Sequence, residues 1–352
     1  MRLVSLKLKH SRWLLRRHGL EPKLVELENG STIHCWVPVT AAKTHRRRSK
    51  VRGYEHDYIN DSVGLNPACH ERASDHTKEV EYDNGAARKP ALLLLHGFGT
   101  DGTLSWDTQL CVLTKDFRVY IPDLVCFGKS TTTNEQRSEL FQAECMLAMM
   151  HQLGIRRAAV AGHSYGGFVA FSMAHRFPDF VTCLIVINSG IMMNPSTNHD
   201  SLHELRATKS EDILAPSSVS DTKKGFKIVY DKLPSWLPTC LFKEPFQVCT
   251  NKYMRSNRHG RLELLDGIIL GKEGAPPLPK LHQDVLIIWG DKDRMFKLEL
   301  AHQLKEFLGQ KAEVVVIKGA GHAPQFERAK LVNKLIINFL KCKRNDTNLV
   351  NV

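Results

Sequence analysis

The sequence predicts an α/β fold: a mostly parallel sheet flanked by helices, carrying an inserted helical cap. Three observations predict it. First, short continuous apolar runs recur at Ala91 to Leu95, Phe117 to Ile121, Ala158 to Ala161, Cys183 to Asn188, Val285 to Trp289 and Glu313 to Ile317. Unbroken runs of strand length read as strands buried on both faces. Second, helix-like stretches alternate with them, at Glu139 to Leu153, Gly167 to Arg176, Glu299 to Leu308 and Ala329 to Leu340, as a parallel sheet covered on both sides requires. Third, residues 191–284 show no strand pattern, only helix-like stretches separated by Pro195, Pro216, Pro234, Pro238 and Pro276-Pro277. Such an insert belongs over the C-terminal edge of the sheet, where open α/β sheets bind ligands.

Taken in order, residues 1–22 form a basic N-terminal helix. Leu3, Leu6, His10, Trp13, Leu14 and Arg17 recur at helical spacing, and the first twenty residues hold six cations and no acid. Two readings stand: a helix lying on an anionic membrane surface with Trp13 at the interface, or a helix packed on the domain. Residues 23–190 are the first part of the core. They open with a hairpin in which Leu24 to Leu27 and Thr32 to Val37 flank Asn29-Gly30, a strong two-residue turn. Residues 40–89 are polar, of mixed charge and aperiodic, and are expected to be a disordered insertion or a segment foreign to the mature product. The cap follows at 191–284, the second part of the core at 285–342 and a tail at 343–352.

Composition narrows the function. The chain has 352 residues, 42% of them hydrophobic, enough for a sizeable core. No apolar run approaches the roughly 18 residues of a spanning helix. The net charge is +12, but without a basic stripe interleaved with aromatics in the folded part, nucleic acid is not an expected partner. The nine cysteines are scattered, with no C-x-x-C pair, which reads as reduced thiols in a cytoplasmic protein. The N-terminus is too interrupted by cations for a signal-peptide core. No cluster has metal-ligand spacing, and no cofactor is expected.

The chemistry concentrates in four motifs. Gly162-His163-Ser164-Tyr165-Gly166 follows one apolar run and precedes a helix. This is the context in which a Ser sits on a sharp turn with Oγ projecting above a sheet. Leu95-His96-Gly97-Phe98-Gly99 ends another strand, and its Phe98 N–H can join that of Tyr165 as an oxyanion hole. Trp289-Gly290-Asp291-Lys292-Asp293 places two acids just past a strand end, and Gly319-Ala320-Gly321-His322 places a histidine on a loop after the last strand. The chain order Ser164, acid, His322 is that of a nucleophile, its orienting acid and its base. His96 reads as a brace for its own loop.

These motifs, with Pro122-Asp123-Leu124 and the run Ala161 to Phe168, resemble the α/β-hydrolase superfamily over nearly all of residues 90–340. Within it they look like a plant-type group similar to meta-cleavage-product (carbon–carbon bond) hydrolases and monoacylglycerol-lipase-like enzymes. The resemblance implies a Ser–His–Asp mechanism without cofactor, with Asp293 as the acid and Asp291 as second choice. It also exposes a departure: position 126 is Cys, where many members have Gly. Ser at the elbow argues against haloalkane dehalogenase and epoxide hydrolase chemistry, which the family runs through an aspartyl ester. Met192, Met193, Phe226, Trp236, Leu237, Phe242 and Phe246 in the cap are candidates to line a pocket for a small apolar ester or acyl substrate. Three functions stay open: a carboxylesterase or monoacylglycerol-type lipase, a carbon–carbon hydrolase, and a receptor-like binding module with residual turnover. Arg206, Asn251 or Arg255 facing Ser164 would favour the second.

Overall fold

A computed structural model describes residues 3–39, 89–233, 237–247 and 258–349. The expected insertion falls almost wholly outside these residues. The sheet runs β1 (Leu20–Glu26), β2 (Ser31–Pro38), β4 (Arg118–Pro122), β3 (Ala91–Leu95), β6 (Ala158–His163), β7 (Val181–Ile187), β8 (Asp284–Gly290) and β9 (Ala312–Ile317), with the short β5 (Thr131–Thr132) paired to β2. β1 and β2 are the expected antiparallel hairpin, and β2 also meets β4 antiparallel. From β4 to β9 every pairing is parallel. The mostly parallel sheet expected from the apolar runs is therefore present.

Why the strands are apolar throughout follows from what covers them. Leu93, Leu95, Val160, Val186 and Ile287 face one core, and Leu92, Leu94, Ala161, Ile185 and Ile288 face another, so alternate residues of each strand serve opposite faces. On the first face lie α2 (Glu139–Gln152), α3 (Tyr165–Arg176) and α9 (Glu299–Leu308); on the second lie α1 (Leu3–Arg17) and α10 (Ala329–Leu349). The chain leaves β3 for β4 on one side and reaches β6 on the other. That reversal opens a crevice at the C-terminal ends of β3 and β6, where the Phe98 and Ser164 turns sit.

Two details depart from the expectations above. The buried side of α1 is Leu8, Ser11 and Leu15, while Leu6 and Trp13, grouped above by helical spacing, are 59% and 49% exposed. The helix does pack on the domain, through a narrower stripe than spacing suggests. The final helix runs on to Leu349 rather than ending near Leu340, taking in residues 343–349 of the expected tail. Between β7 and β8 the described residues form the helices α4 (Pro195–Glu204), α5 (Ser210–Leu214), α6 (Val219–Val229), α7 (Lys243–Gln247) and α8 (Arg258–Asp266). Among the described residues no helix is long and apolar enough to cross a membrane.

The turn after β4 explains the position where the resemblance departs. Asp123 is buried and accepts from Gly102 N–H, Lys129 N–H and His34 Nδ1–H at 2.8–3.0 Å. These bonds hold its carboxyl below its ordinary range although burial pushes it up. To wrap around that carboxylate the chain turns left-handed, and Cys126 takes φ +68°. Glycine adopts that conformation without strain; a side chain there costs roughly 1 kcal/mol.

Candidate active site

Ser164 is the residue between β6 and α3, and its backbone is strained, with φ +53° and ψ −120°. The strain is enforced by packing. A Cβ on Gly162 would lie 2.1 Å from Gly166 O, and one on Gly166 would lie 2.5 Å from Leu95 O. Only glycines let β6, α3 and β3 approach this closely, and the approach leaves Ser164 no relaxed alternative. The turn projects Oγ to His322, whose Nε2 accepts at 2.9 Å.

His322 is held from three sides. Its Nδ1–H donates to Asp293 Oδ2 at 2.9 Å. Its main-chain N–H donates to Val229 O at 2.9 Å, and its carbonyl accepts from His163 Nε2–H at 2.8 Å. His163 is buried, and burial, with His322 beside it, pushes its pKa down to about 3. It is therefore a neutral, fixed donor at ordinary pH. His96, likewise neutral through burial, donates from Nδ1 to Gly97 O and accepts from Leu124 N–H through Nε2. This bracing of the Phe98 turn is the role assigned to it above.

Asp293 has no exposed side-chain surface. Besides His322, its carboxylate accepts from Asn188 Nδ2–H at 2.6 Å, Met295 N–H at 2.7 Å and Phe296 N–H at 3.1 Å. Four donors converge on two oxygens, so the group is orientated as an acceptor only. Asp291, the second choice, turns away and accepts from Gly319 N–H at 2.7 Å, tying the Asp293 turn to the loop that carries His322.

The Phe98 ring is buried edge-on against Phe127 and Tyr165, at 5.1 and 5.7 Å between centroids. Tyr165 opens α3, where helix geometry offers its N–H no internal acceptor. Of the cap residues expected to line a pocket, Met193 alone among the described ones lines the cavity over Ser164. Phe226 packs instead against Phe242 edge-on and Tyr230 at 5.5 and 5.9 Å between centroids, joining α6 to the turn Thr239–Phe242. Met192 packs on the main core. Leu237 and Arg206 are not on the lining either. Trp236, Asn251 and Arg255 lie outside the described residues, as does the side chain of Phe246.

The lining that sequence reasoning missed comes from Leu202 of α4 and Leu205 just past its end, Ile213 and Leu214 of α5, and Leu265 and Ile268 near α8, facing Phe168 and Phe296 from the core. Asn188 and Glu327 were missed as well. In sequence Asn188 reads as a strand end, yet it links Gly290 N–H to the Asp293 carboxylate. Glu327 accepts from Gly321 N–H at 2.6 Å and Asp231 N–H at 2.9 Å, clamping the end of α6 to the loop of His322. No local motif announces either; their roles exist only in the assembled loops. Among the described residues no group of three His, Cys, Asp or Glu side chains is placed to hold a metal ion.

A parallel sheet with a strained Ser turn, a histidine loop and a buried acid at its C-terminal edge defines the hydrolase class. The chain belongs to the Alpha/beta hydrolase family, whose family model matches residues 92–335. It is 28% identical over 284 residues to epoxide hydrolase 3 of Xenopus tropicalis, covering 73% of each chain. It is 28% identical over 258 residues to lipase 3 of Moraxella sp. (strain TA144), covering 72% of this chain and 78% of the lipase. Its fold is similar to that of 2-hydroxy-6-oxo-6-phenylhexa-2,4-dienoate hydrolase from Rhodococcus sp. strain RHA1, with a TM-score of 0.63 at 19% identity over 92% of this chain and 99% of that one.

Proposed function

We propose that this chain is a serine hydrolase that cleaves carboxylic esters of apolar acyl groups. The observation that carries the reading is the continuous hydrogen-bond relay from Ser164 Oγ through His322 to Asp293. Ser164 Oγ attacks the acyl carbonyl carbon as its proton passes to His322 Nε2. Asp293 keeps the Nδ1–H tautomer and stabilises the imidazolium that forms. The N–H groups of Phe98 and Tyr165 receive the oxyanion. His322 then gives its proton to the leaving alkoxide, releasing the alcohol and an acyl-enzyme. Water, deprotonated by His322, attacks that ester and frees the acid and Ser164.

A serine nucleophile favours ester cleavage over epoxide opening. Attack by a serine on an epoxide carbon leaves an ether, with no carbonyl for water to attack, so turnover ends after one event. Attack on an ester leaves another ester, which water can cleave. The cavity lining, chiefly Leu, Ile, Met and Phe side chains, suits an acyl chain rather than a polar group.

The test is labelling with a fluorophosphonate probe together with p-nitrophenyl ester turnover, for wild type and Ser164→Ala. Labelling and turnover are expected in the wild type, with both lost in the variant and turnover falling by about 10⁶-fold. A folded wild type that neither labels nor turns over an ester would overturn the reading and put a binding module in its place.

A further inference from the structure

Five large apolar side chains are conspicuously exposed among the described residues: Leu6, Trp13, Leu24, Leu241 and Leu331. Two of them lie on α1 itself, and two more lie on or just before elements that α1 touches. Leu6 and Trp13 lie two turns apart on the helix. Leu24 lies on the strand face shared with Leu20, which shares a core cluster with Leu15 of α1. Leu241 sits on the turn just before α7, and α7 touches α1 where Ser5 N–H donates to Glu244 Oε1 at 3.0 Å.

The charges on α1 are arranged about the same line. With Leu8, Ser11 and Leu15 turned inward, Leu6 and Trp13 occupy the centre of the outward face. At 100° per residue, Lys9 and Arg16 fall on one flank of that line, His10 and Arg17 on the other. The helix has no acidic residue. The Trp13 ring is held in place rather than free, stacked on His10 at 5.7 Å with the Arg17 guanidinium 5.0 Å from its centroid.

We infer that this face seats the protein on an anionic lipid surface, with Leu6 and Trp13 entering the headgroup boundary and the flanking cations meeting lipid phosphates. An apolar centre bordered by cations is the pattern of a helix lying in the plane of a bilayer, and a fixed Trp suits that depth. A second copy of this chain is a poor occupant, because a two-fold contact would set each cation against the same cations. Nucleic acid would use the charges but leave the Leu6, Leu24 and Leu241 side chains without apolar cover.

The experiment is co-sedimentation of the full chain with vesicles of phosphatidylcholine alone or mixed with phosphatidylglycerol, at low and high salt. A short DNA duplex serves as the alternative polyanion. Partitioning is expected to favour the mixed vesicles and to weaken with salt. In Lys9→Glu/Arg17→Glu it should fall by roughly tenfold per reversed cation. Trp13→Ala should weaken it several-fold while leaving its salt dependence in place. Both substitutions lie away from Ser164, so unchanged thermal melting and unchanged turnover of a soluble ester show that the fold is intact. Equal binding to both vesicle types, or wild-type binding by the charge-reversed variant, overturns the proposal. So does tighter binding to the duplex that is indifferent to Trp13→Ala.

Discussion

At the ends of β6 and β8, side chains and backbone leave each other almost no freedom. In the cap the opposite holds. Gly162, Gly166 and Gly290 each lie where a Cβ would meet backbone at less than 2.6 Å, and four donors converge on Asp293. By contrast α4 buries no residue at all, α5 only Ile213 and α6 only Thr222. The strand ends are shaped by steric exclusion, which tolerates one arrangement. The cap helices are held by apolar contacts, by the Glu327 clamp and by polar ties such as Arg137 to Glu263 and the Ile269 and Leu270 N–H groups to Glu139, and the apolar contacts accept repacking. On the proposed function, the reaction and the choice of substrate are therefore separable in this molecule. One resides in backbone geometry, the other in side chains that can change without disturbing it.

The largest effect on that division is expected from Asp293→Asn. Whichever way the amide is turned, its NH₂ faces either Asn188 Nδ2–H and His322 Nδ1–H, or the Met295 and Phe296 N–H groups. The pressure on His322 is to move its proton to Nε2, which then no longer accepts from Ser164. Ester turnover should fall by about 10⁴-fold with little change in KM, measured by steady-state kinetics. Loss of less than about tenfold would mean that the rigid region does not set the reaction rate.

A smaller effect is expected from the cap. Leu202→Phe fills cavity space over Ser164 without touching the relay. It should lower kcat/KM for long-chain p-nitrophenyl esters by about tenfold and leave the butyrate ester nearly unchanged. An equal loss for all chain lengths would show that cap and relay are not separable.

A third effect, on stability rather than turnover, probes the interior of the scaffold. Burial, with Asp123 close by, pushes the Asp101 carboxyl up to about 7 from its ordinary 3.8. Between pH 3.8 and 7 the native state keeps this proton while the unfolded chain loses it, so its contribution is full below 3.8 and vanishes as pH rises through 7. His163, pushed down from 6.5 to about 3, runs the other way: its contribution is full above 6.5 and is lost on acidification toward 3. Between about pH 4 and 6.5 the two slopes oppose. Asp101→Asn removes one of them, so urea unfolding should show the variant losing roughly 3 kcal/mol more than wild type on acidification across that interval. Parallel curves would rule out the shifted Asp101.

Much of the site is legible in the sequence because it is written in short-range terms. Strand lengths, the glycines around Ser164 and the loops after two strands are local patterns, and each has one steric or chemical use. Glu327 and Asn188 are illegible for the converse reason: each joins segments far apart in the chain, and neither sits in a pattern of its own. On α1 the spacing reveals a helix but misjudges its inner face, since it groups Leu6 and Trp13 with Leu3 and Leu14 and the structure turns both outward.

The chain's local patterns alone dictate the strands of the sheet, the strained Ser164 turn and the candidate acid and base, because apolar runs and glycines constrain the backbone wherever they occur. Folding in three dimensions selects Asp293 over Asp291 as the partner of His322, and turns Leu202 and Ile213 rather than Phe226 and Phe242 toward Ser164. Periodicity marks which side of a helix is apolar, but what that side meets is set by contacts between segments the chain brings together only on folding.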